Sequence, residues 1–190
     1  MSTETAELFF ALLALAAGLG AITLVVLRLA AAAGSDGAWR LGSAISDAGV
    51  WLAFLVATVA TFGSLYFSEI ADFVPCRLCW FQRIAMYPLS VVLLVGAIRR
   101  DAAVRWYAGP LALIGLGISS WHSLIEWRPQ LDDGQCELTG PSCTYVWFRE
   151  FGLSLATMAL IGFLTILILL FVRFPARLDA STEVETEPES

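Results

Sequence analysis

Five long apolar runs limit this chain to folds that cross a lipid bilayer. They cover residues 8–27, 50–67, 84–98, 106–125 and 151–171. A helix needs about 20 apolar residues to span the roughly 30 Å of bilayer hydrocarbon, so the short third run is expected to extend back through Trp80 and Phe81. Because 58% of the 190 residues are hydrophobic, little chain remains for a soluble domain. We therefore predict an all-α polytopic membrane protein with five spans.

A cleaved signal peptide is the competing interpretation of the first run, because four alanines follow it at 30–33. However, the residues before the run include Glu4 and Glu7 and no basic residue, whereas a signal peptide begins with positive charge. We interpret the run as a retained extra span, followed by a short polar connection at 34–47. Residues 1–49 would then precede a four-helix membrane domain at 50–172.

Part of the net charge of -6 comes from the end of the chain, where four glutamates alternate within the last eight residues. Charged segments without apolar periodicity bury no core, so 173–190 is predicted to be a disordered acidic tail. The chain has no basic stripe of the kind that nucleic-acid-binding proteins present. This argues against a nucleic-acid partner.

The arginines predict the orientation, since short cytoplasmic loops of membrane proteins are enriched in basic residues. With five spans, one side holds seven arginines and the other holds four; the sets are Arg28, Arg40, Arg99, Arg100, Arg105, Arg173 and Arg177 against Arg77, Arg83, Arg128 and Arg149. The larger set is expected in the cytoplasm together with the C-terminus. Both cysteine pairs would then face the outside, where disulfides persist.

Cys76 and Cys79 form a CxxC motif at the start of the third span. Such a pair closes a small reducible disulfide, and the amides of a helix N-terminus favour the thiolate. Arg83 follows Cys79 by one helical turn, so its guanidinium is expected to stabilise a Cys79 thiolate or to bind a carbonyl oxygen of a ligand. Gln82 and Trp80 are expected to line the same pocket, although snorkelling of Arg83 at the interface is an alternative.

Cys136 and Cys143 form a second pair in the longest loop. Gly140 and Pro141 favour a turn that brings the two α-carbons within the roughly 4.4–6.8 Å that a disulfide requires. The polar surroundings predict an exposed disulfide that another protein can attack, and a structural staple is the alternative. Mixed disulfides would move oxidising equivalents between the two pairs. Aromatic residues around 145–149 suggest a helix lying along the membrane.

His122 lies near the outer end of the fourth span with Glu126. It is either an ordinary interface residue or a group that supplies protons or contacts a ligand, since ionisable groups within membranes tend to be functional. No metal is expected, because two separated thiol pairs and one histidine match no usual zinc spacing. A non-catalytic scaffold with two structural disulfides is another alternative, which mild reductant would distinguish.

The order of these motifs resembles the DsbB family of disulfide-bond formation proteins. The resemblance rests on CxxCxxQR at 76–83 between two spans, on the second cysteine pair, and on a last span that begins FGLSL at 151–155. It covers about 50–171, and the short second loop is more similar to the compact BdbC-type members. The family pattern lacks the run at 8–27.

The resemblance implies a four-helix bundle in a prokaryotic cytoplasmic membrane, surrounded by lipid. It implies a thiol–quinone oxidoreductase that reoxidises a DsbA-like thioredoxin-fold partner and passes electrons to ubiquinone or menaquinone. Cys136 would form the mixed disulfide with the partner, and Cys143 would complete that pair. Cys76 and Cys79 would be the quinone-coupled pair, with Cys79 nearest the quinone and Arg83 supporting it.

The cofactor-binding residues predicted for this quinone are Trp80, Gln82, Arg83 and His122. A vitamin K epoxide reductase-like protein is the nearest alternative with the same chemistry. In that class the loop pair is expected before the CxxC pair, which is the reverse of the order here.

Overall fold

A computed structural model describes residues 2–132 and 141–174. These residues form six α-helices, one 3₁₀ turn at Pro129–Leu131 and no β-strand. The helices are α1 Thr3–Ala32, α2 Asp36–Asp47, α3 Gly49–Glu69, α4 Arg77–Arg99, α5 Val104–Trp127 and α6 Leu155–Phe171. Cys136 and most of the predicted acidic tail, 175–190, lie outside the described residues.

The helices confirm an all-α polytopic membrane protein. Four of them, α1, α3, α4 and α5, are long and apolar enough to cross a membrane. The fifth, α6, is apolar but has only 17 residues, a length of about 25 Å at 1.5 Å per residue. This length lies at the lower end of the range for membrane-spanning helices.

The last helix begins at Leu155 and not at residue 151, where the apolar run starts. Phe151 and Gly152 have φ of 52° and 80°, and Glu150 and Leu153 exchange both backbone hydrogen bonds across them. This tight turn cannot continue into a helix because its backbone is left-handed. Ser154 then caps α6, accepting a hydrogen bond from the amide of Thr157 at 3.2 Å.

The connection predicted at 34–47 contains a helix that the sequence analysis did not identify, α2. Ser35 caps this helix through the amide of Ala38 at 3.4 Å, and Gly42 is its buried residue. The helix is amphipathic and too short to cross a membrane, so hydropathy alone did not identify it. The helix suggested around 145–149 is wrong, since no helical turn forms there.

Helices α3, α4, α5 and α6 pack as a ring, in which each contacts the next and α6 contacts α3. Apolar side chains, most of them small or aliphatic, fill the ring: Ala53, Ala57, Ala85, Met86, Leu89, Leu93, Val104, Ala108, Ala112, Phe163, Ile166 and Leu170. Helix α1 lies outside the ring, packed against α6 and α2. The end of the ring that joins α3 to α4 and α5 to α6 carries the cysteines.

Gly115 on α5 leaves room for an aromatic ring of α6. A Cβ added there would lie 2.2 Å from the Phe163 ring of α6, whereas a Cβ at Gly117 would meet nothing within 4 Å. Small residues on a membrane helix allow close packing only where they face a neighbour. Gly115 therefore serves the packing of α5 against α6, whereas Gly117 faces no neighbouring helix.

We expect Gly115→Ala to lower the stability of the bundle by about 1–3 kcal/mol, the usual effect of overpacking a filled core. Gly117→Ala should leave it unchanged or slightly raised, because alanine favours helix more than glycine does. Thermal unfolding of the two variants in one detergent measures the difference. Equal unfolding temperatures would contradict the packing described here.

Candidate functional site

The CxxC pair occupies the first turn of α4. Cys76 is the N-cap, with extended backbone, and its Sγ accepts the backbone N–H of Cys79 at 3.3 Å. The two sulfurs are 2.8 Å apart, and both residues are free thiols. The sulfur of Cys76 therefore accepts a hydrogen bond from a backbone amide at the helix N-terminus, as the side chain of an N-cap residue does.

The two thiols differ in the cavities that they border although they lie within one turn. Cys79 lines an apolar cavity of about 340 Å³ between α1, α3, α4 and α6. Both thiols line a second, much smaller cavity, together with His122, Glu126 and Tyr145. Cys79 thus borders both cavities, whereas Cys76 borders only the small one that contains His122.

His122 is brought against Cys76, a placement that the sequence did not predict. Its Nε2 lies 3.7 Å from Cys76 Sγ and 3.1 Å from the backbone oxygen of Cys143. Because a carbonyl oxygen only accepts, Nε2 carries the proton. Nδ1 then accepts from the side-chain amide of Gln82, 3.0 Å away. Gln82 thus fixes the ring orientation that points a donor at Cys76.

Glu126 completes this buried polar group on the next turn of α5. Its Oε1 lies 3.9 Å from His122 Nε2, and both side chains are 4% exposed. The hydroxyl of Ser154 donates to the other carboxyl oxygen. Ser154 therefore caps α6 and also holds the carboxyl group of Glu126 next to His122, which contacts the Cys76 thiol.

These contacts alter the acidity of Cys76, which lies just before the membrane-spanning part of α4. The hydrogen bond with the Cys79 thiol is the largest cause, and it lowers the pKa of Cys76 well below that of an ordinary thiol. The contact with His122 acts in the same direction, while burial opposes both. Cys76 is therefore the thiol that ionises first at neutral pH.

Cys143 lies beside the first pair and is fully buried, so the expectation of an exposed second pair is wrong for this residue. It is disulfide-bonded and packs in one apolar cluster with Cys76 and Ile125. Cys136 is outside the described residues. One cysteine of the second pair is thus adjacent to the CxxC motif, as exchange between pairs requires.

Aromatic stacking holds the loop of Cys143 against the segment that leads to Cys76. Phe73 stacks on Trp147 with ring centres 4.7 Å apart and on Phe67 at 5.6 Å. Phe148 packs against Phe67 at 5.3 Å. These rings replace the interfacial helix expected around 145–149 and tie the two cysteine-bearing loops together.

Arg83 points into the large cavity but is held by α3. Its Nε donates to the hydroxyl of Ser64 at 2.9 Å and one Nη to the Ser64 carbonyl at 3.0 Å. Tyr87 also donates to the Ser64 hydroxyl, at 3.2 Å. The two bonds from Arg83 to Ser64 use two of the five N–H groups of the guanidinium. They fix the guanidinium in place and leave its other N–H groups available to a ligand.

The large cavity has one polar end and long apolar walls. Cys79, Gln82, Arg83, Tyr87 and Ser64 form the polar end. The remaining lining is almost entirely apolar, and it comes from α1, α3, α4 and α6 and from the loops that carry Phe73 and Trp147. A volume of about 340 Å³ is within the range of small-molecule sites.

Two predicted cofactor contacts lie outside this cavity. The indole of Trp80 is 54% exposed and covers the outer face of Arg83, with the guanidinium carbon 5.2 Å from the ring centre. His122 lies on the Cys76 side. Glu126 was noted beside His122 in the sequence. Ser64, Tyr87 and Ser154 were not identified from sequence, because each acts through a residue distant in the chain.

Cys76, Cys79 and His122 also place three potential metal-ligand atoms within 4.8 Å of one another. The sequence-based argument against zinc relied on the separation of the histidine from the thiols, and the fold removes that separation. Zinc sites ordinarily use four ligands. A metal bound by both thiols would also prevent them from forming a disulfide. We therefore still predict that no metal is bound, and this stays a prediction.

Residues 46–173 match the family model described as "Disulfide bond formation protein DsbB". "Probable disulfide formation protein C 2" of Bacillus anthracis is 43% identical over 122 residues, which are 64% of this chain and 86% of the relative. "Disulfide bond formation protein C" of Bacillus subtilis is 39% identical over 120 residues, 63% of this chain and 87% of the relative. No solved structure matches the chain.

The family match extends over more than half of the chain and includes α3 to α6 and both cysteine-bearing loops. It agrees with a membrane protein that forms disulfide bonds and has disulfide oxidoreductase activity. The chain belongs to the DsbB family of disulfide bond formation proteins.

Proposed function

We propose that this protein transfers electrons from a DsbA-like thioredoxin-fold dithiol to a quinone. The observation that carries the proposal is the position of the CxxC pair between two surroundings. Cys76 lies in one cluster with Cys143, and Cys79 packs against that cluster. Cys79 also borders, with Arg83, the large apolar cavity that Cys76 does not line. Electrons entering at the loop pair would therefore leave through Cys79.

The exchange steps follow from this arrangement. The partner's thiolate attacks the Cys136–Cys143 disulfide at Cys136, and its second thiol releases the partner as a disulfide. The freed Cys143 thiolate attacks Cys76 of the Cys76–Cys79 disulfide, and Cys79 leaves as a thiolate. Cys136 then attacks Cys143 and releases Cys76. Two electrons have moved inward, and the loop disulfide is restored.

The reduced CxxC pair beside a disulfide-bonded Cys143 corresponds to the state after this exchange. The backbone amide of Cys79 and the Nε2–H of His122 stabilise negative charge on Cys76. When His122 is protonated, Gln82 can turn its amide so that its oxygen accepts a hydrogen bond from the Nδ1–H. His122 and Glu126 are then positioned to receive the protons that the thiols lose.

The polar end of the large cavity suits a quinone, whose two carbonyl oxygens accept hydrogen bonds. Arg83 supplies N–H donors that Ser64 does not use, and Tyr87 and Gln82 lie beside it. A quinone bound there would accept the two electrons and two protons lost when Cys76 and Cys79 form a disulfide. Ubiquinone and menaquinone share this chemistry.

The proposed organisation keeps three regions: an extra helix and connection at 1–49, the DsbB-like domain at 50–172, and an acidic tail at 173–190. The arginine distribution supports an extracytoplasmic position for the cysteine end and a cytoplasmic C-terminus. The membrane would be a prokaryotic cytoplasmic membrane, and the partner would act on its outer face.

Cys79→Ser should abolish quinone reduction while the partner still reduces the loop disulfide. Serine cannot re-form the disulfide that returns Cys76 to its oxidised state. Turnover is measured with purified protein, a reduced thioredoxin-fold dithiol protein as donor, and ubiquinone and menaquinone analogues in parallel. Turnover that is unchanged in the variant would refute the assigned path.

The alkylation rate of Cys76 in the reduced protein should remain high as the pH falls through neutrality. A lowered pKa keeps the thiolate populated at lower pH, so the midpoint should lie at least one unit below the roughly 8.5 of an ordinary thiol. His122→Leu should raise this midpoint, whereas Ser120→Ala, on the exposed face of α5, should not. A wild-type midpoint at 8.5 or above would contradict the contacts of Cys76.

Prolonged dialysis against a strong chelator should leave turnover unchanged, because both thiols must be free to cycle. Elemental analysis before and after dialysis measures any bound zinc. Loss of activity on chelation, with recovery when zinc alone is restored, would instead assign Cys76, Cys79 and His122 to a metal.

A further inference from the structure

Helix α1 provides one wall of the large cavity. Phe10, Leu13, Ala14 and Ala17 line it together with residues of α3, α4 and α6. Their spacing of three, one and three residues places all four on one helix face. The opposite face carries exposed side chains, including Leu12, Leu19 and Ile22. Helix α1 therefore separates the cavity from the surrounding lipid.

This wall lies outside the part of the chain that the family match covers. The match begins at residue 46, and α1 ends at Ala32. The cavity-lining residues of α3 and α6 belong to the matched region, whereas those of α1 do not. The binding site of this chain therefore contains an element that the matched domain does not supply.

Specific contacts hold α1 in this position. The ring of Phe10 packs against Gly63 of α3, so closely that a Cβ added at Gly63 would lie 2.9 Å from the ring. The ring centres of Phe10 and Phe67 are 5.5 Å apart. Lower on the helix, Gly18 approaches Ile161 of α6. The helix spans the opening between α3 and α6 and touches both sides.

The α1 wall borders the apolar part of the cavity. Arg83 is bound to Ser64, which is next to Gly63 and therefore at the level of Phe10. From Ser64 the α3 lining continues through Val59 to Leu55, about 13 Å along the helix at 1.5 Å per residue. From Phe10 to Ala17 the α1 lining runs about 10 Å in the same direction. A ligand with its polar ring at Arg83 would extend an apolar chain along α1.

We propose that α1 is part of the quinone site and that its Leu13, Ala14 and Ala17 contact the isoprenoid tail. This inference rests on the proposed function. Because the wall is apolar, it contributes binding energy to a tail in proportion to the apolar area that is buried. It contributes none to a quinone ring without a tail. The chain should therefore discriminate among quinones by tail, through residues that the family domain lacks.

The test compares two alanine-to-phenylalanine substitutions one residue apart on α1 in the full-length protein. Ala17→Phe fills the tail region, whereas Ala16→Phe places the same ring on the exposed face. The probes are a ubiquinone and a menaquinone with two isoprene units, and the corresponding quinones with no tail. Equilibrium binding is measured by quenching of tryptophan fluorescence, since Trp147 lines the cavity, and unfolding temperature is measured as a control for folding.

Ala17→Phe should weaken binding of the tailed quinone at least tenfold and change the Kd of the tail-less quinone less than twofold. Ala16→Phe should change neither. If Ala17→Phe does not fold, Leu13→Ala serves instead, and it should weaken only the tailed quinone. Equal loss for both quinones, or equal affinities in the Ala17 and Ala16 variants, would overturn the role of α1.

The proposed function fails separately from this inference. If the wild type neither binds nor reduces any of these quinones, with or without a tail, the quinone reaction itself is refuted, and the α1 inference falls with it. If the wild type reduces them and the α1 variants show no tail dependence, only the α1 inference is refuted.

Discussion

The position of two thiols in the first turn of one helix is the constraint on which the site depends. At this turn Cys76 caps α4 with extended backbone, while Cys79 is already helical, so their sulfurs approach to 2.8 Å and Cys79 alone of the two borders the large cavity. Cys76 lies in one cluster with Cys143 and contacts His122. The proposed exchange with a protein disulfide at Cys76 and with a lipid-soluble acceptor at Cys79 depends on this difference.

The rest of the bundle keeps these two sides distinct. On the Cys76 side, α5 contributes His122 and Glu126 while the cap of α6 contributes Ser154, forming a buried polar group whose members satisfy one another. On the Cys79 side, α3 holds Arg83 through Ser64 and leaves guanidinium donors available. Gln82 borders the large cavity and contacts His122. Gln82 therefore connects the buried polar group to the large cavity.

Much of the fold was predictable because a bilayer imposes a simple length and hydropathy rule on each span. The rule did not identify α2, because that helix is amphipathic and short. It also placed the start of α6 too early, because a left-handed turn occupies Phe151 and Gly152. The CxxC pair, and the position of Arg83 one helical turn after Cys79, could likewise be predicted from local helical spacing. The contacts of His122 with Cys76, of Arg83 with Ser64 and of α1 with the cavity arise from packing between distant segments, and no local pattern encodes them.

Thiol counting in a single anaerobic turnover tests the central claim most directly. The fully reduced protein is mixed with a limiting amount of quinone without any partner, quenched in acid, and mapped by peptide mass spectrometry. The account predicts two thiols lost for each quinone reduced, with the Cys76–Cys79 disulfide formed faster than any disulfide at Cys143. Reduction of quinone without loss of these two thiols, or a first disulfide that excludes Cys79, would contradict it.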